Sequence, residues 1–133
     1  MPRRSSSHPT EAELEVLNVL WQLGPATVRQ VHQTLQADRT TSLTTTLKLL
    51  QVMTEKGLTV RDREAHPHRY APAVSAEKTQ AGLVDDLVQR AFSGSARQLV
   101  VRAVEEGDLS PEELGEIRRL IDHVRKGKRG EKR

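Results

Sequence analysis

One segment, residues 40–50, combines hydroxyl side chains and a lysine with leucines at helical spacing. The leucines predict a helix with one apolar face, which leaves the polar side chains on its other faces. The three leucines predicted to point inward are Leu43, Leu47 and Leu50. Such a helix can lie in a DNA major groove, because a threonine hydroxyl can donate or accept at a base edge and a lysine can reach a guanine or a phosphate.

The polar side chains of this helix fall into two groups of predicted contacts. Those on its outward faces are predicted to read base edges, and they are Thr44, Thr45 and Lys48. Those at its start are predicted to hold a phosphate oxygen, since free backbone N–H groups there favour an anion; they are Thr41 and Ser42, with Thr40 beside them. A solvated helix face and ordinary capping are the competing interpretations. Threonine is a mediocre helix former, so three in succession favour a contact.

A hairpin is predicted directly after this helix, which Gly57 ends. Its strands are residues 58–61 and 68–71, and Pro72 ends the return strand. Its arginines are predicted to reach phosphates or the minor groove, and they are Arg61, Arg63 and Arg69. Solvated hairpin charges are an equally simple interpretation of each. A groove-reading helix followed by a hairpin is the pattern of a winged helix-turn-helix.

Two upstream helices complete the predicted helix-turn-helix. A capping box of Thr10 and Glu13 opens the first helix, and Gly24-Pro25 ends it. Its predicted core positions are Leu14, Leu17 and Trp21, with Val16, Val19, Leu20 and Leu23 alongside. Thr27 can cap the second helix. The predicted inward positions of that helix are Val28, Val31 and Leu35, and a polar connection over residues 37–41 follows.

After Ala73 the pattern is helical throughout. Helices are predicted over 77–92 and 96–106, and a third follows a capping box that begins at Ser110. Three helices of about a dozen residues share too little interior to stand alone, so we infer a dimerisation lobe. Its predicted contact residues, the last five of them along a coiled-coil-like seam, are Leu83, Leu87, Leu99, Leu114, Ile117, Leu120, Ile121 and Val124.

The predicted fold class is therefore mainly α with a small β-hairpin wing. We predict a flexible arm over residues 1–9, a winged helix-turn-helix DNA-binding domain over 10–73, a helical dimerisation domain over 74–125 and a basic tail over 126–133.

The net charge of +3 is distributed unevenly along the chain. Residues 1–9 carry +2, residues 10–72 are neutral, residues 73–124 carry −4 and residues 125–133 carry +5. The basic isoelectric point is therefore a property of the two ends and is weak evidence for DNA binding. The basic tail can add non-specific attraction to DNA, or it can serve solubility alone.

The composition argues against several classes of protein. Cysteine is absent, which removes disulfides, thiolate metal sites and cysteine nucleophiles. Tryptophan, tyrosine and phenylalanine occur once each, too few rings for a binder of single strands. We find no glycine-rich phosphate loop or nucleophile motif, so we expect no enzyme and no cofactor. His66 and His68 alone do not make a metal site. No apolar run is long enough to enter a membrane, and we expect a cytoplasmic protein.

Over roughly residues 8–125 the chain resembles the BlaI/MecI/CopY group of bacterial winged-helix repressors, the penicillinase-repressor and methicillin-repressor type. The segments that carry the resemblance are Glu13–Leu17 with Leu20-Trp21, Thr27–Val31, Thr44-Thr45 ahead of Lys56–Leu58, Arg69–Pro72 and Leu109–Leu114. No one segment is decisive, but their order and spacing together are specific.

The resemblance implies a homodimer that binds a dyad double-stranded DNA operator and represses antibiotic-resistance or stress genes. In several members of this group a membrane sensor-protease signal leads to cleavage in the dimerisation lobe, at a position that falls at about Arg102-Ala103 here. The copper-responsive branch uses Cys-x-Cys motifs, which this chain lacks. A winged-helix module that binds proteins and does not read DNA is the alternative, and the neutral charge of residues 10–72 is its best support.

Overall fold

The computed structural model describes residues 8–35 and 41–131. The predicted flexible arm over 1–9, the predicted polar connection over 37–41 and the last two residues of the predicted tail lie wholly or largely outside these residues, and so does Thr40.

Six helices and three short strands occur in the described residues. Their order is α1 (Glu11–Leu23), β1 (Ala26–Thr27), α2 (Val28–Leu35), α3 (Leu43–Glu55), β2 (Thr59–Asp62), β3 (Arg69–Pro72), α4 (Ala76–Ala91), α5 (Ala96–Glu106) and α6 (Pro111–Glu131). The strands form one antiparallel sheet in the order β1-β3-β2. This arrangement confirms the predicted class, mainly helical with a small β wing. None of the described helices has the length and apolar character needed to span a membrane.

The chain divides into two compact units, and the first ends at Asp86. Its core is formed by α1, α2, α3 and the sheet, and Tyr70 from the central strand β3 is the largest of its fully buried side chains. The buried core residues of this unit are Val16, Leu17, Val19, Leu20, Ala26, Val31, Leu50, Met53 and Tyr70. The predicted inward positions of α2 are confirmed, with Val31 buried and Val28 and Leu35 packed against the core.

The buried face of α1 differs from the predicted stripe. Leu17 is fully buried as predicted, but Leu14 is only half-buried and Leu23 is exposed. Because α1 contacts α2, α3 and β3 at once, its buried face is wider than one stripe, and Val16 and Leu20 lie fully inside it. Trp21 lies at the edge of this core and donates its indole N–H to the carbonyl of Val74 at 3.0 Å.

Local hydrogen bonds define the ends of these helices. The predicted capping box of Thr10 and Glu13 is confirmed, with the two bonds at 2.9 and 3.2 Å. Thr27 and Gln30 form the same reciprocal pair at the start of α2. Gly57 has φ +84°, a left-handed conformation that glycine adopts without strain, and it turns the chain from α3 into the wing.

The sheet contains one strand that the sequence did not predict. Strand β1 has only two residues, too short to show an alternating pattern, and Ala26 pairs with Tyr70 on one side of β3. On the other side Arg61 of β2 pairs with Tyr70. The two hairpin strands each begin one residue later than predicted. The short strand β1 therefore fastens the wing to the helix-turn-helix.

The second compact unit begins at Leu87, within α4, and contains α5 and α6. Ser110 and Glu113 form the predicted capping box of α6. The last helix continues to Glu131, so residues 126–131 are helical and not an irregular tail. The physical reason is that lysine, arginine and glutamate are good helix formers and outweigh Gly127 and Gly130. The functional division at residues 73 and 74 stays a prediction.

Candidate nucleic-acid interface

The outward face of α3 carries the predicted base-reading side chains. Thr44, Thr45 and Lys48 are all exposed. The inward face differs from the prediction, because Leu43 and Leu47 are only half-buried. Leu50 is buried as predicted, and the other buried positions are Thr46 and Met53. The helix is thus rotated relative to the leucine pattern, so that a threonine faces the core.

Gln51 is a further candidate contact that the sequence analysis missed. It is exposed, and it follows Thr44 and Lys48 at spacings of four and three, which places the three side chains on one face of α3. A glutamine amide can bond an adenine edge with two hydrogen bonds. The spacing of positions 44, 48 and 51 was visible in the sequence. The predicted contacts, however, were confined to residues 41–48, near the start of the helix.

Hydrogen bonds fix the first turn of α3. Ser42 is the N-cap, and its hydroxyl accepts from the backbone N–H of Thr45 at 3.1 Å. The hydroxyls of Ser42 and Thr45 also lie 2.8 Å apart. Whichever of the two donates, at least one oxygen keeps a hydrogen or a lone pair for an outside group. The capping and the contact interpretations are therefore compatible. Thr41 is half-buried beside them.

A second hydrogen-bond chain joins α2 to the start of α3. Nδ1 of His32 lies 3.0 Å from the hydroxyl of Thr46, and that hydroxyl lies 3.5 Å from the carbonyl oxygen of Ser42. The tautomer of His32 decides whether Nδ1 donates to the Thr46 hydroxyl or accepts from it, and the hydroxyl can make either bond. The buried threonine therefore holds the two helices of the helix-turn-helix in register.

We expect Thr46→Val, a change of nearly equal volume, to destabilise the first unit by about 1–2 kcal/mol, the usual cost when a buried hydrogen bond is lost. Urea unfolding followed by circular dichroism measures this change. Thr44→Val is the matched control, since it makes the same replacement at an exposed position of the same helix and should stay within about 0.5 kcal/mol of the parent protein. Equal stability of the two variants would contradict the role given to Thr46.

The wing arginines are not equivalent. Arg61 lies opposite the buried Tyr70 and so shares its inward side of the sheet, and its Nε is buried with no hydrogen-bond partner among the described residues. Arg63 and Arg69 are exposed, and Arg69 lies opposite Asp62 across the hairpin. Contact with a duplex is therefore favoured for Arg63 and Arg69, and Arg61 is the least available of the three.

An ion pair fastens the end of α3 to the start of α1. The ammonium of Lys56 lies 2.8 and 2.9 Å from the two carboxylate oxygens of Glu13, whose side chain is buried. Burial raises the pKa of Glu13, but the hydrogen bonds from Lys56 and from the Thr10 backbone N–H, together with the charge of Lys56, outweigh burial and hold the pKa below its ordinary value. The carboxylate is therefore ionised at neutral pH, and the ion pair joins the C-terminal end of α3 to the first turn of α1.

The second unit presents an extensive apolar surface. Among its described residues Val88 alone is buried. Eight large apolar side chains of this unit are 37–59% exposed, and they are Leu87, Val100, Val101, Val104, Leu114, Leu120, Ile121 and Val124. The other predicted dimerisation residues, Leu83, Leu99 and Ile117, are half-buried. Large apolar side chains left exposed in this number are typical of an interaction site.

The histidines of the wing lie near each other without further ligands. The rings of His66 and His68 have centroids 5.8 Å apart. Within residues 8–35 and 41–131, no three or more histidine, aspartate or glutamate side chains are grouped so that they could hold a metal ion.

Comparison with known proteins identifies the family. Residues 9–123 match the penicillinase repressor family. The transcriptional regulator BlaI of Mycobacterium tuberculosis is 36% identical over 88% of this chain and 85% of its own length, and the methicillin resistance regulatory protein MecI of Mammaliicoccus sciuri is 25% identical over 85% and 92%. A solved MarR family protein from Bacillus stearothermophilus aligns with a TM-score of 0.48 and 21% identity, over 90% of this chain and 74% of its own. The chain belongs to the penicillinase repressor family, as its sequence resemblance implied.

Proposed function

We propose that this member of the penicillinase repressor family represses transcription by binding a dyad DNA operator as a homodimer. The observation that carries the proposal is the outward face of α3, where Thr44, Lys48 and Gln51 are exposed while the opposite side of the helix is anchored in the core. A helix presented in this way, with a wing after it, fits the geometry in which a recognition helix enters the major groove.

The charge of the reading domain supports a dimer. Residues 10–72 are neutral, so a single domain gains little sequence-independent attraction from phosphates. Two linked domains that engage two half-sites at once gain affinity without new contacts. The half-sites of such a dimer should lie about one helical turn apart, or a multiple of it, which is roughly 34–36 Å. The apolar surface of the second unit is the surface through which we propose the two copies join.

We expect Lys48→Ala to weaken operator binding about 10–100-fold, the usual range for loss of one well-placed base contact. The probe is a duplex enriched from genomic DNA by this protein, and the measurement is a gel-shift titration. Lys78→Ala removes another exposed lysine, from α4, and is the matched control. Undiminished affinity of the Lys48 variant, with the control also unchanged, would argue against α3 as the reading helix.

The relatives favour the repressor over the protein-interaction module, because those named above are described as a transcriptional regulator and a resistance regulatory protein. Release of the operator by a sensor-protease system is a further part of the proposal. The bond between Arg102 and Ala103 lies inside α5, and both side chains are exposed. A protease would have to unwind this helix locally to cut there.

A further inference from the structure

The last helix carries a second exposed surface that the reading of an operator does not use. Four exposed cations lie on one side of α6, and we call them the cationic face: Arg118, Arg119, Arg125 and Lys126. One acidic residue, Asp122, lies among them. The family match ends at residue 123, so half of this face lies beyond it.

The cationic face is separate from the apolar seam. Each residue turns an α-helix by about 100°, which places the centre of the cationic face roughly 120° from the centre of the seam formed by Leu114, Ile117, Ile121 and Val124. Arg119 and Lys126 lie nearly opposite the seam, whereas Arg118 and Arg125 lie at its flank, about 60–80° from its centre. A partner that covers the seam therefore leaves at least Arg119 and Lys126 in solvent. The helix is long enough to carry both surfaces, since its 21 residues span about 32 Å.

We propose that the cationic face binds the phosphate backbone of duplex DNA without regard to sequence, in addition to the operator contacts of α3. The inference rests on the proposed function, because it assigns a second contact with the same partner. Its physical basis is charge: the first unit offers almost no net attraction to phosphates, whereas residues 125–133 carry +5. Cations near a helix C-terminus also stabilise the helix through its dipole. The two roles can be separated, because only contact between the cationic face and phosphates makes the affinity for DNA depend on salt through these four residues.

The test is the slope of log affinity against log salt concentration. Each phosphate contact contributes about 0.9 to that slope on B-form DNA, so the triple variant Arg118→Gln/Arg125→Gln/Lys126→Gln should lower it by up to about 2.7 for each protomer engaged. Glutamine has a helix propensity close to those of arginine and lysine, so α6 is retained. The slope should fall equally on a duplex enriched by this protein and on a duplex of equal length with the enriched motif scrambled.

A matched control removes the same charge elsewhere. The variant Lys78→Gln/Arg97→Gln/Arg102→Gln neutralises three exposed cations of α4 and α5, and its slope should match that of the parent protein. The opposite change on the cationic face, Asp122→Asn, should raise affinity for the scrambled duplex at low salt. An unchanged slope in the first triple variant, an equal fall in both triple variants, or no gain in the Asp122 variant would each overturn the inference.

Failure of the proposed function has a different signature. In that case the parent protein enriches no duplex, and both proposals fall together. If the duplex slope is unchanged while the first triple variant loses binding to phosphatidylserine vesicles, the face binds anionic lipid and the DNA assignment is wrong, although the operator contacts of α3 stand.

Discussion

The double variant Ile117→Asp/Ile121→Asp is expected to sediment as a monomer. These residues lie one helical turn apart on the seam of α6, where Ile121 is 48% exposed in a single chain. A dimer that covered the seam would bury four unpaired carboxylates, and each one costs several kcal/mol to desolvate. Loss of the dimer should also lower operator affinity by about 100-fold or more, since the two half-sites would no longer be engaged together.

Sedimentation velocity measures the first effect and gel-shift titration the second. The control variant Arg119→Asp/His123→Asp places two aspartates at the same spacing on another side of α6, and it should remain a dimer. Circular dichroism should show that the first unit of the monomeric variant keeps its fold, because its core lies within residues 16–70. A dimer that survives the double change would remove the seam from the interface.

Elements with a strong local signal were predictable from the sequence. The capping boxes of α1 and α6 involve residues three positions apart, so the sequence alone specifies both partners. The glycine stop after α3 is equally local, because a left-handed residue is needed there whatever the rest of the chain does. The resulting order of helices and hairpin was enough to indicate the fold and the family.

Features that depend on distant residues were not predictable. Strand β1 exists because β3, more than forty residues later, offers it a hydrogen-bonding edge. The buried hydroxyl of Thr46 has its hydrogen-bond partner, His32, on another helix. Because the sequence does not show that partner, the buried face of α3 was predicted from its leucines. The ion pair of Glu13 and Lys56 joins positions 43 residues apart. The last two of these contacts hold α3, so the sequence predicted the existence of this helix better than its rotation.

The variant Lys56→Met breaks the Glu13–Lys56 ion pair, and we expect it to lower the free energy of unfolding of the first unit substantially. The variant keeps the aliphatic stem but leaves a buried carboxylate without its cation. Removing one partner of a fully buried pair costs about 3–5 kcal/mol. Because the Lys56 side chain is itself 37% exposed and solvent screens it, we expect a smaller loss, about 2 kcal/mol at neutral pH. Lys48→Met, at an exposed position of the same helix, should cost less than about 0.5 kcal/mol.

The pH dependence gives a sharper test, because its sign is fixed. In the parent protein the pKa of Glu13 is lowered from 4.5, so the stability that this carboxylate contributes is present above that value and is lost as pH falls through the lower, folded-state pKa. In the Lys56→Met variant burial acts without the cation and moves the pKa of Glu13 upward relative to the parent. As pH falls, protonation of Glu13 removes the unpaired buried charge of the variant, whereas in the parent protein the same protonation breaks the ion pair and lowers stability. The gap between the two proteins should therefore narrow as pH falls from 7 towards 3.

Urea unfolding at several pH values measures this gap, and Glu13→Gln separates charge from capping. Glutamine can keep the reciprocal hydrogen bond with Thr10, so this variant should lose the pH dependence while α1 still begins at Glu11. Adding Lys56→Met to Glu13→Gln should cost much less than Lys56→Met alone, because no buried charge is then left unpaired. If the two changes were additive, the ion pair would contribute nothing as a pair, and the contact between α1 and the end of α3 would have to be stabilised by apolar packing alone.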